Sequence, residues 1–300
     1  HHCLPKAARL AGFPRGAIRL LPSDEDFRLP VATLAAAIAE DRRAGRRPFL
    51  VVASAGTVNT GAVDPLPELA DLAQREGLWL HVDGAYGGCF ALTARGRLRL
   101  AGIERADSVV LDPHKGLFLP YGTGALLVRD GAALRRTHAH DADYLPRLQE
   151  GLERVDFCEI SPELSRPFRG LRVWLPFALH GAVAFRAALD EKLDLATWIA
   201  GELVRRPEIE LVAAPELSLL AFRPRLSGRS AEAQDAAGQR LLAAANRRQR
   251  VHLTGTRVRG RFVLRICVLS FRTHRDRMEQ CLEDLDAALA ELAAEPPPGG

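Results

Sequence analysis

Lysine is almost missing from this chain. Among 41 lysines and arginines in 300 residues, only Lys6, Lys115 and Lys192 are lysines. A run of roughly 20 apolar residues, the length of a membrane span, is missing too, and no secretory signal shows at the start. Cysteine excludes more by its pattern than by its number. Cys3, Cys89, Cys158, Cys267 and Cys281 are odd in number, scattered and without metal-ligand spacing. Neither a disulfide framework nor a metal site is expected, and the thiols read as reduced in a cytoplasmic protein. Aromatics are 6% of the residues, and acids and bases are interspersed under a net charge of +4, so a nucleic-acid surface is not favoured. The densest basic run, Arg247-Arg248-Gln249-Arg250, closes a predicted helix, where cations complement the helix dipole.

What remains is the composition of a globular protein of one large or two modest domains. Predicted strands and helices alternate through the first half. Phe49 to Ala55, Leu78 to Asp83, Ser108 to Leu111 and Gly124 to Val128 read as strands, the first as a run suited to burial on both faces. Ile18 to Leu21 reads as a further short strand. Val31–Glu40 and Pro67–Glu76 have helical apolar spacing, with Gly45 and Gly77 as stops. The pattern predicts an α/β layer with a mostly parallel sheet. From Thr137 to about Glu163 the periodicity fades, with Tyr144 in the middle, as expected of a functional loop. A smaller α+β unit follows, with an antiparallel sheet and a closing helix from Asp276. The expected division is residues 1–172 and 173–300.

Open sheets gather functional residues where strands end in loops. Thr57, Asp83 and the pair His114-Lys115 all fall at such ends. Lys6 and Lys192 read as solvated surface charges. Lys115 stands between apolar segments, where desolvation favours a neutral, nucleophilic amine able to form a Schiff base with a carbonyl compound; a structural ion pair with Asp112 or Asp107 is the alternative. Asp83 lies one strand–helix–strand unit away. A carboxylate and a lysine at neighbouring strand ends suit pyridoxal phosphate, whose ring nitrogen needs a carboxylate and whose aldehyde carbon needs an amine. Ala85, two residues on, is small enough for the ring to approach the backbone.

Asp83-Gly84-Ala85-Tyr86 and Asp112-Pro113-His114-Lys115 resemble the group II pyridoxal-phosphate-dependent amino-acid decarboxylases, which include the aromatic-L-amino-acid, glutamate and cysteine-sulfinate enzymes. Ser54 to Pro65, Arg166 to Trp174 and Val263-Leu264-Arg265 extend the likeness to essentially the whole chain. Because it begins at His1 instead of Met, and family members are longer, the resemblance implies that roughly their amino-terminal third, with much of the phosphate grip, is absent. It also implies a fold type I, transferase-like large domain and a homodimer whose site the partner subunit completes. By position, Lys115 resembles the Schiff-base lysine, Asp83 the partner of the pyridine nitrogen and Ala85 a residue packing on one ring face. His1 resembles the histidine stacking on the other face. His114 is placed near the phosphate and the lysine, and Thr57 near the cofactor, although Val58 stands where a second threonine is frequent. Tyr144 resembles the loop tyrosine that protonates the carbanionic carbon. The implied reaction is decarboxylation of an L-amino acid, aromatic first and acidic second. Transamination, carbon–carbon lysis, oxidative deamination and a cofactor-free scaffold are the rival readings.

Overall fold

The computed structural model describes residues 1–140 and 155–294. Its first sheet has the order β1 (Leu50–Ser54), β2 (Trp79–Gly84), β3 (Ser108–Leu111) and β4 (Ala125–Val128). The first three strands are parallel and β4 returns antiparallel to β3. Helices α1 (Cys3–Leu10), α2 (Val31–Arg43), α3 (Leu66–Arg75) and α4 (Ala94–Arg99) precede β3, and α5 (Pro113–Gly116) and α6 (Gly131–His138) follow it. The crossover helix α3 forms where the apolar spacing predicts. Leu66, Leu69, Ala70, Leu72 and Ala73 make one buried stripe, with Glu68 in the first turn and Arg75 in the last, each complementing the dipole.

The sheet is not buried on both faces. Val51, Ala53, Leu80 and Val82 are buried, while the alternate residues of β1 and β2 keep partial exposure. That second face carries Ser54, His81 and Asp83, polar side chains that no apolar layer could cover without unpaired groups. The strand expected at Ile18–Leu21 is also not formed. The segment runs without a sheet partner between Pro14 and Pro22, neither of which can donate to a ladder. Arg19 ties it instead to α2, through Asp41 at 2.7 Å and the Ala37 carbonyl at 3.3 Å.

The second sheet is antiparallel, in the order β5 (Ile209–Ala213), β6 (Leu219–Pro224), β8 (Arg261–Cys267) and β7 (Thr254–Val258). Helices α8 (Ala231–Arg247) and α9 (Arg275–Ala294) pack on it, sharing a core of Leu220, Phe222, Leu241, Leu264 and Leu285. Strand β7 is legible only through its partner. Arg259 and Gly260, at φ 49° and 78°, make a two-residue turn with positive φ at both positions, the geometry whose twist suits a hairpin.

Helix α7 (Leu171–Val204) joins the two units and is interrupted at Gly181, whose φ 72° and ψ 159° are not helical. Phe185, Leu189 and Leu193 belong to the first core, whereas Leu195, Ala196, Ile199 and Leu203 belong to the second. Side chains therefore change core between Leu193 and Leu195, well inside the helix.

Candidate active site

Two strand ends set the geometry. In the parallel ladder Ser54, Asp83 and Val110 stand level, and Gly84 pairs with Leu111, so Asp83 and the segment after β3 leave the sheet at the same edge. Asp83 Oδ1 accepts the Ala85 amide at 3.1 Å; among the described residues, no donor takes the other carboxylate oxygen. After β3, Asp112-Pro113 starts the single turn α5. Proline suits its first position, and the Lys115 amide closes the turn on the Asp112 carbonyl at 2.8 Å.

Close approach holds these ends together. A Cβ on Gly116 would lie 2.6 Å from Cys89 Cβ, and one on Gly87 would lie 2.1 Å from the Ala55 carbonyl oxygen. Side chains at these two positions would drive apart the lysine turn, the loop after Asp83 and the end of β1. Burial around Cys89 pushes its thiol up to about 12, the Asp112 charge adding to the effect.

Lys115 differs from expectation in one respect. Its side chain is 42% exposed and its Nζ lies 2.7 Å from Asp112 Oδ2, so the amine is ion-paired at an open edge instead of desolvated between apolar walls. The flanking Leu117 and Leu119 are buried, but they point into the core while the turn lifts Lys115 away from it. Lys192 reverses the other half of the expectation. It is fully buried, with Nζ 2.7 Å from Glu191 Oε2 and 2.5 Å from the Thr273 carbonyl.

His114 Nδ1 lies 2.8 Å from the Thr123 carbonyl oxygen. A carbonyl only accepts, so Nδ1 carries a proton, and Nε2 lies 3.8 Å from Asp112 Oδ2. The ring also meets Tyr121, with 5.1 Å between centroids. Lys115 thus makes the ion pair with Asp112 that its sequence offered as the alternative, and His114 stands near the same carboxylate.

Thr57 is engaged inside its own turn. Its Oγ1 pairs with Thr60 Oγ1 at 2.8 Å and accepts the Ala62 amide at 3.1 Å. Strand β8 clamps this turn from the second unit: Arg265 donates to the Val58 carbonyl, and to Thr254 Oγ1 at 3.0 Å, while its Nε is buried without a partner among the described residues. The sequence signal for Arg265 was a charged residue inside an otherwise apolar strand. Cys267, at the end of β8, is exposed as a residue, yet protein surrounds its thiol densely enough that burial pushes it up to about 11; Arg265 and Lys115 pull it the other way. Ala85 is half-buried in the turn after Asp83. His1 is exposed at the start of α1, its Nδ1 accepting the Cys3 amide at 3.3 Å and its ring packing on His2. Tyr144 lies outside the described residues.

Tyr86 fastens the two units together. Its hydroxyl accepts the Ser218 amide at 2.9 Å and pairs with Ser218 Oγ at 3.0 Å. The site edge is thus bounded by β1, β2 and β3 on one side and by β6 and β8 on the other.

Residues 1–225 match the family model described as the pyridoxal-dependent decarboxylase conserved domain. The chain is 37% identical to an aromatic-L-amino-acid decarboxylase of Bacillus atrophaeus over 98% of its own length and 62% of that protein. It is 33% identical to a 3,4-dihydroxyphenylacetaldehyde synthase of Drosophila melanogaster, over 98% of this chain and 56% of that one. Among solved structures, a TDC of Oryza sativa with PLP and tryptamine superposes with a TM-score of 0.91 at 29% identity, over 97% of this chain and 61% of the other. The chain thus spans less than two thirds of the length of these relatives. It belongs to the pyridoxal-dependent decarboxylase family.

Proposed function

We propose that this chain carries the lysine edge of a pyridoxal-phosphate-dependent decarboxylase that converts an L-amino acid, aromatic in preference, into its amine and carbon dioxide. One observation carries the reading: Asp83 and Lys115 leave neighbouring parallel strands at the same sheet edge. The residues present fit the cofactor by the chemistry of their donors. The Asp83 carboxylate, with one oxygen unclaimed among the described residues, leaves the same sheet edge as the solvent-reached Lys115 and His114, and Ala85 is a small residue in the turn after Asp83. When bound, pyridoxal phosphate supplies an aldehyde carbon and an electron-withdrawing ring.

The chain's own part is to hold and orient. Asp83 would hold a proton on the ring nitrogen. Asp112 holds the Lys115 ammonium, and Lys115 would supply the amine for the aldehyde carbon once its proton had passed to Asp112 or to water. His114, with Nδ1–H committed to Thr123, would stand near the lysine and the cofactor phosphate. Ala85 would bound one ring face, and His1 and Thr57 would be further contacts. Tyr144 would deliver the proton that replaces carbon dioxide.

Two further parts of the proposal concern surroundings. A second copy completes the site, and the exposed row Leu171, Trp174, Leu175, Leu179 and Val183 fits a partner surface. The compartment is the cytoplasm, which suits five unpaired cysteines.

Incubation with pyridoxal phosphate, borohydride reduction and peptide mass analysis is the direct test. Modified Lys115 is expected; a Lys115→Ala protein that still takes up covalent cofactor overturns the assignment. Carbon dioxide release over a panel of amino acids identifies the substrate. The aldehyde-forming alternative draws on the Drosophila relative's name. Under the decarboxylase reading, Tyr144→Phe shifts product from amine toward aldehyde; unchanged amine output removes Tyr144 from its role.

A further inference from the structure

Beneath Asp83, the same half-exposed face carries a polar chain that the proposed reaction does not use. Trp79, His81 and Asp83 alternate along β2, and Ser108 of β3 stands level with His81. Trp79 Nε1 donates to Ser108 Oγ at 2.8 Å, and His81 Nδ1 lies 2.8 Å from the same oxygen. Ser108 is only 6% exposed, so these bonds are shielded from water.

Proton inventory gives the chain a direction. An indole N–H can only donate, so Ser108 Oγ accepts from Trp79. The one hydroxyl proton of Ser108 is then available to His81 Nδ1, and in that arrangement Nδ1 accepts and the ring proton sits on Nε2. Charging the ring would place a second proton on Nδ1, turn Ser108 into a double acceptor and leave its hydroxyl proton without this partner.

Few charges compete. Level with His81 stand Val52 of β1 and Ser108 of β3; Ser54 and Val110 flank Asp83, and β4 adds Leu126 and Val128. None of these titrates. Among the described residues, Asp83 is the charged group acting on His81; burial is the larger influence and pulls the imidazole below its ordinary value.

We infer that Trp79, Ser108 and His81 form a positioning relay for Asp83. The relay holds His81 as the neutral Nε2–H tautomer, so the Asp83 carboxylate keeps its negative charge for the group it faces instead of sharing it with an imidazolium on its own strand. The inference rests on the reading of Asp83 as partner of the cofactor's ring nitrogen. Its consequence is specific: without the Ser108 hydroxyl, His81 charges at higher pH and Asp83 is partly neutralised where the wild type is not.

Two measurements test it. Histidine side-chain nitrogen NMR on the labelled chain, with the His81 signal assigned by its loss in His81→Gln, reads tautomer and charge without cofactor. The expected wild-type ring is neutral with its proton on Nε2 at about pH 7. In Ser108→Ala the charged form appears at higher pH, and Ser108→Thr, which keeps the hydroxyl, restores the wild-type titration. Pyridoxal phosphate retention is then compared at about pH 6 and pH 8, the two sides of an ordinary histidine titration. Ser108→Ala is expected to hold the cofactor about fivefold more weakly at the lower pH, the fold-change of one lost hydrogen bond, and to match wild type at the higher. A wild-type ring that is cationic or protonated on Nδ1, or a Ser108→Ala titration identical to wild type, overturns the relay. So does equal retention of cofactor by both proteins at both pH values, an outcome that leaves the proposed function standing. Wild-type protein that takes up no cofactor overturns the proposed function, and with it the role given to the relay.

Discussion

Tyr86→Phe isolates the bond that ties the loop after Asp83 to the second unit. The ring stays where it is, because it fills a slot against Gly56, where a Cβ would come within 2.6 Å of it. Only the oxygen is lost. Ser218 is fully buried, and both its amide and its hydroxyl use that oxygen. An orphaned buried amide costs about 1–3 kcal/mol and the lost hydroxyl pair about 1 kcal/mol, so the expected destabilisation is roughly 2–4 kcal/mol. Urea unfolding followed by tryptophan fluorescence should show the midpoint falling with an unchanged denaturant slope. A double-mutant cycle with Ser218→Ala apportions the loss. That variant keeps the amide and gives up only the hydroxyl pair, so the double variant should cost less than the two single losses added, by about 1 kcal/mol. A loss under about 0.5 kcal/mol in Tyr86→Phe, the scatter of a neutral substitution, or strictly additive losses, would refute the reasoning.

Three other outcomes follow from the same structure. Lys192→Met leaves the Thr273 carbonyl and the Glu191 carboxylate without their buried donor and should cost roughly 2–3 kcal/mol in urea unfolding; a neutral result would mean that water replaces the ammonium freely. Burial pushes Cys89 and Cys281 up to about 12, above an unfolded thiol near about 8.5. Their protonated form therefore contributes stability in full below that unfolded value and loses it as pH rises toward the folded ones. The melting temperature should fall steadily above about pH 8.5, and Cys89→Ala with Cys281→Ala should flatten the slope. Gly87→Ala forces a methyl to 2.1 Å from the Ala55 carbonyl and should cost at least about 1–3 kcal/mol; Gly131→Ala, with nothing near its Cβ, is the control expected to be close to neutral.

Much of the site was legible in local chemistry. Asp83 and His114-Lys115 follow short apolar strands, and a strand that ends in Asp-Pro must leave the sheet there. The α3 stripe and its flanking charges were equally plain. What escaped was whatever depended on a partner distant in sequence. Strand β7 contains Gly255 and three polar residues, and becomes a strand because β8 pairs with all five of its positions. Lys192 looks like any helix-surface lysine until Thr273, 81 residues later, is seen to cap it. The apolar neighbours of Lys115 suggested burial, but neighbours in sequence do not enclose a side chain at a turn.

The sequence by itself determined which chemistry was present: a carboxylate and an amine at strand ends, one crossover apart, with small residues where backbones must touch. Strand periodicity and turn residues act over a few positions, so they can be read without the fold. The tertiary structure alone decided what each group faces. It put the Lys115 ammonium on Asp112 and left it open to solvent, buried Lys192, placed Arg265 of one unit on the Thr57 turn of the other, and stacked Trp79, Ser108 and His81 beneath Asp83. Charge state and exposure are set by the full surroundings of a group, and those surroundings come from chain segments that no local pattern names.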